Sequence, residues 1–107
     1  MADNAELISN LPPPCGAHEA SVLSTTSSSF TLPPGKGILT VDRPSNDAYV
    51  WFSDTDTTVL AASIPDIRTE VASTAAPEFR CGNGHKPYVH VIGKTATAEV
   101  RLLWETE

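Results

Sequence analysis

AYVWFS, residues 48–53, is the stretch that decides the fold. Tyr, Val, Trp and Phe all favour the pleated, half-buried surface of a strand. Successive strand side chains point to opposite faces, so Tyr49 and Trp51 share one face while Val50 and Phe52 share the other. Large apolar groups on both sides predict a central strand, covered on both faces, in a two-layer structure.

The neighbouring stretches repeat the theme. Upstream, a short strand is expected over 21–23, and a hydroxyl run (Thr25–Ser29) leads into alternating Phe30 and Leu32. Pro33-Pro34-Gly35-Lys36-Gly37 is a strong turn signal, Ile38–Val41 the next strand, and Arg43-Pro44-Ser45-Asn46-Asp47 the next turn. Downstream, Asp54–Thr58 reads as a polar loop. Val59–Ile67 is ambiguous, because Ala61-Ala62 fits a helical turn that Pro65 cuts short. Arg68–Ala76 reads as a surface loop with room for one edge strand. Glu78–Cys81 and Tyr88–Ile92 are strands, separated by the Gly82-Asn83-Gly84 turn. Gly93–Thr97 has the length of a hairpin connection. In the last strand, Ala98–Trp104, the residues Val100, Leu102 and Trp104 face a core while Glu99, Arg101 and Glu105 face water. The expectation is an all-β fold, a small antiparallel β-sandwich or barrel of about six to eight short strands.

A chain of 107 residues suits one domain with a modest core. The domain is expected over 18–107, preceded by an extended Pro-rich N-terminal arm over 1–17. In that arm Leu7, Ile8 and Leu11 fit one helical turn, which Pro12-Pro13-Pro14 stops in favour of an extended path. Two readings stand for it: a frayed terminus, or an arm lying on a neighbour, since these apolar groups lie outside the expected core. Leu7, Ile8, Leu11, Pro12, Pro13 and Pro14 are accordingly the candidate partner-binding residues.

The net charge of −6, with seven scattered Lys and Arg, argues against nucleic acid and against an anionic membrane surface as partners. No apolar run approaches the ~20 residues of a membrane-spanning helix. MADNAELISN lacks a basic stretch followed by an apolar one, so no signal peptide is expected and the chain is expected to be soluble and made inside a cell. Cys15 and Cys81 allow either a disulfide pinning the arm or two reduced thiols, and the redox-compartment argument favours the thiols.

None of the polar constellations reaches the standard of a site. His85 and His90 are five residues apart, and no Cys or carboxylate completes a metal-ligand spacing with them or His18. Asp54-x-Asp56 resembles the opening of a calcium loop without its later Gly and closing Glu. Phosphate-binding and nucleophile-elbow motifs are missing, and no cofactor is expected. A Cys81–His85 dyad would lack an oxyanion hole and an orienting third group. Tyr49, Trp51, Tyr88 and Trp104 suit a core better than a sugar-stacking face.

From Ala48 onward the chain resembles small β proteins of tailed-bacteriophage virions. The residues that carry this are AYVWFSD (48–54), TTVLAAS (57–63), PEF (77–79), GNG (82–84), YVHVIG (88–93) and TAEVRLLWE (97–105). Ala98 departs from the Gly common in that family, and the long Pro-rich arm is a second departure. The resemblance implies a non-enzymatic virion protein made in the host cytoplasm: a capsid decoration (cement) protein on the head exterior. It would bind and stabilise the major capsid protein, as a homo-oligomer such as a trimer at local threefold positions. Alternatives are a head–tail or tail adaptor, a fibre-attachment component, or a carbohydrate-binding β module.

Overall fold

The computed structural model describes residues 6–7, 15–32, 35–82 and 86–106. It contains β1 (Glu6–Leu7), β2 (Cys15–Val22), β3 (Ser28–Thr31), β4 (Lys36–Val41), β5 (Ala48–Ser53), β6 (Thr69–Val71), β7 (Glu78–Gly82), β8 (Tyr88–Gly93) and β9 (Ala98–Thr106), with one 3-10 turn at Ala61–Ser63. They form two sheets, one ordered β1-β3-β8-β5-β6 and the other β2-β9-β4-β7. All pairings are antiparallel except the two-residue pairing of β1 with β3, which is parallel. The protein is thus a β-sandwich.

The core is built by alternation. On β9, Ala98, Val100, Leu102 and Trp104 are buried, while Glu99, Arg101 and Glu105 are exposed. Leu39 and Val41 of β4 join them from the same sheet. From the facing sheet come Phe30, Ala48, Val50, Val89 and Val91. β9 is the longest strand and runs between β2 and β4, pairing with eight residues of β2 and five of β4. Glu19 and Arg101 stand directly opposite each other there, 3.7 Å apart.

β5 has the bounds expected from the sequence, but it is not at the centre of its sheet. That place belongs to β8, flanked by β3 and β5. β8 is also two-sided: Val89 and Val91 point into the core, whereas His90 and Ile92 are buried on the opposite face. Trp51 lies on this outer face as well, in register with His90. What covers it is not another sheet but the chain's own segment 54–68, which leaves β5, crosses the outer face and returns to β6.

β2 starts at Cys15, inside the segment expected as arm, and Glu6–Leu7 adds a short edge to β3. CGAHEA has little intrinsic strand preference. Its strand is stabilised by the continuous ladder with β9, a tertiary effect that local composition does not reveal.

Candidate functional site

Two features of the outer sheet stand out, and the first positions the second. Register aligns Ser29, His90 and Trp51 across β3, β8 and β5 on the outer face. The ring of His90 stacks on Trp51 with centroids 5.3 Å apart and planes 5° from parallel. His90 Nε2 lies 2.8 Å from the carbonyl oxygen of Thr55. A carbonyl can only accept, so Nε2 carries the proton and donates. Ser29 Oγ donates to Asp56 O at 3.2 Å. Further along, Ser27 N donates to Val59 O and Val59 N to Ser27 Oγ, and Ala61 N donates to Thr25 O. Buried Ser27, Ser29 and His90 thus supply polar partners to the backbone of the covering flap.

The return of that flap creates a groove. Arg68 Nη1 donates to Pro65 O at 2.9 Å and Arg68 N to Asp66 O at 3.0 Å, a tight turn that steers the chain away from β5. β6 therefore pairs only with Ala48–Val50. Beyond Val50, no strand among the described residues pairs with that edge of β5 from Trp51 to Ser53. Between this edge and β7 of the other sheet lies a groove of about 480 Å³. Phe52 and Phe79 meet edge-on at its base, with centroids 5.5 Å apart. Pro65 and Ile67 form one wall, and Ile67 is 88% exposed. Arg68 and Lys86 add positive charge. The Arg68 guanidinium also sits 4.8 Å from the centroid of the Tyr49 ring.

Three of the other surface cations are held in ion pairs. Arg43 pairs with Asp42, Lys94 with Glu70 and Arg101 with Glu19. Among the described residues, neither Arg68 nor Lys86 has a carboxylate within ion-pair distance. In a chain with a net charge of −6, an apolar groove bordered by two cations is a local inversion of charge.

The residues singled out in the sequence fare differently. Leu7 lies in β1, opposite Thr31. Ile8, Leu11, Pro12, Pro13 and Pro14 lie outside the described residues, as does His85 of the Cys81–His85 pair. Trp51 and Trp104 are 5% and 0% exposed, so neither ring offers a face on which a sugar could stack. Asp54 is exposed in the flap, and among the described residues no group of three or more His, Cys, Asp or Glu side chains is placed to hold a metal. No helix among them is long and apolar enough to cross a membrane.

The choice between disulfide and thiols is settled by backbone topology. Cys15 stands opposite Glu105 on β9, and Cys81 opposite Gly37 on β4. β2 and β7 are the two edges of their sheet, with β9 and β4 between them. Three inter-strand spacings separate the two Cα atoms by about 14 Å, twice the roughly 7 Å limit for a disulfide. One chain does not bridge them.

The groove escapes sequence reasoning because its parts are dispersed: Phe52, Ile67, Phe79 and Lys86 come from four separate strand and loop segments and no motif. The one local signal is Ile67, a large apolar residue between Asp66 and Arg68 in a polar stretch. Compared with known protein families, with curated proteins and with solved structures, the chain matches none.

Proposed function

We propose that this protein is a non-enzymatic binding scaffold: a rigid sandwich whose work is done by contacts along its sheet edges. The observation that carries this is the half-paired edge of β5: among the described residues it combines a strand edge open beyond Val50, an apolar floor and two cations without an ion pair. An edge of this kind is normally blunted or covered in a protein that stays alone. Following the strand pattern that resembles tailed-phage virion proteins, the partner is the major capsid protein. The chain then serves as a decoration protein on the head exterior, in the virion. The acidic exterior keeps loaded particles apart in solution. Leu7, Ile8, Leu11 and Pro12–Pro14 of the N-terminal segment add contact area on the neighbouring subunit, and self-association to a trimer suits a local threefold position.

The test is stoichiometry in purified particles. A decoration protein is present in many copies per head, and heads lacking it lose resistance to heat. A few copies per particle would shift the assignment to a tail or head–tail component, and absence from particles would refute the virion reading.

A further inference from the structure

We infer that the groove beside β5 is a strand-addition site for an extended peptide segment that alternates apolar and acidic residues. The inference rests on the reading of the chain as a binding scaffold, not on its place in a virion. The shape of the site selects an extended backbone. β6 stops at Thr69, opposite Val50, and the preceding turn at Pro65–Arg68 bends away. Among the described residues, no strand therefore continues the sheet past Val50 along Trp51–Ser53. Backbone N–H and C=O groups on a vacant edge are satisfied in one regular way, by another strand at the usual spacing.

Side-chain chemistry then selects the sequence of the guest. A strand added there turns alternate residues toward the sandwich interior and toward the outer face. The inward ones meet Phe52 and Phe79, and they have to be apolar. Arg68 and Lys86 also line the groove, neither with a carboxylate partner among the described residues. Carboxylates on the guest would complete both pairs. Exposed Ile67 gains a partly buried position in the same event.

The test uses the full chain and a fluorescently labelled peptide of alternating valine and glutamate, titrated and followed by anisotropy. Saturable binding is expected. It should weaken about tenfold or more when lysine replaces glutamate in the peptide, or in the Lys86→Glu protein, because a like charge then faces the cation or its replacement. Ile67→Asp should weaken it similarly. Ile67 is solvent-exposed, so an unchanged unfolding midpoint will show that this variant still folds. A proline at the peptide's centre should abolish binding by removing a ladder donor. Equal affinity for the valine–lysine peptide, no loss in either protein variant, or no binding at millimolar peptide would overturn the proposal. Concentration-dependent dimerisation that Ile67→Asp removes would also overturn it, since the occupant would then be a second copy. Peptide binding without particle association refutes the virion reading alone; particle association without peptide binding refutes this inference alone.

Discussion

Replacing His90 by phenylalanine isolates the anchor that holds the 54–68 flap. The side chain is 1% exposed, stacked on Trp51, and donates from Nε2 to Thr55 O. Phenylalanine keeps a planar ring over Trp51 and loses the donor. Leaving a buried acceptor without its donor costs about 1–3 kcal/mol. Thr55 itself is exposed, so water can reach part of the vacated carbonyl and the expected loss is toward the lower end. His90→Leu also removes the stacked pair, worth about a further 0.5–1.5 kcal/mol. Urea unfolding followed by tryptophan emission reads both losses, because Trp51 and Trp104 are buried. With a loss of about 1 kcal/mol and a urea slope of about 1–3 kcal/mol per molar, the His90→Phe midpoint should fall by about 0.3–1 M. The leucine variant should fall further. Amide exchange at Val59 and Ala61, whose donors bond to Ser27 and Thr25, should change little, since those anchors are independent of His90. A His90→Phe protein as stable as the parent would refute the claim that this hydrogen bond fastens the flap.

Other consequences can be checked as directly. A Cβ on Gly37 would lie 2.5 Å from both Glu105 O and the indole Cζ2 of fully buried Trp104. Gly37→Ala should therefore cost about 1–3 kcal/mol, lowering the melting temperature by about 4–8 °C per kcal/mol in calorimetry; an unchanged melting temperature would contradict the packing. Denatured without reductant, the monomer should show both of its cysteines as free thiols to Ellman's reagent, and finding none in monomer would contradict the sheet order. The hydrogen bond and charge of Glu70, 2.8 Å from Lys94 Nζ, raise the lysine's pKa above 10.5. Since the folded value is the higher one, whatever this exposed pair adds to stability is fully present below pH 10.5 and fades as pH rises through the folded-state value. Lys94→Met should remove that alkaline dependence from unfolding midpoints, and a dependence that survives would assign it to another group.

Strands whose partners lie on both faces, or whose alternation is strict, were legible from the sequence. AYVWFS has the same bounds in the fold, and AEVRLLW alternates buried and exposed residues as its pattern demands. The edge strand expected within Arg68–Ala76 is β6. Features that depend on tertiary partners were hidden. CGAHEASV is a strand because β9 lies beside it. The outer cover of Trp51 is a loop, since Ser27, Ser29 and His90 offer hydrogen bonds that loop backbone can accept or donate. Those three residues look unremarkable in the sequence, and the alignment of Ser29 with His90 across β3 and β8 arises only from register. The groove was hidden for the same reason: the shortness of β6 follows from a turn closed by the Arg68 side chain.

The central claim is that the unpaired edge of β5 is the working surface, and hydrogen exchange of the full chain, free and bound to heads, tests it most directly. Binding should slow amide exchange over Trp51–Ser53 and Ile67–Thr69 while leaving β2 and β9 unchanged. Slowing confined to the N-terminal segment or to the outer edge of β2, with none at Trp51–Ser53, would contradict it.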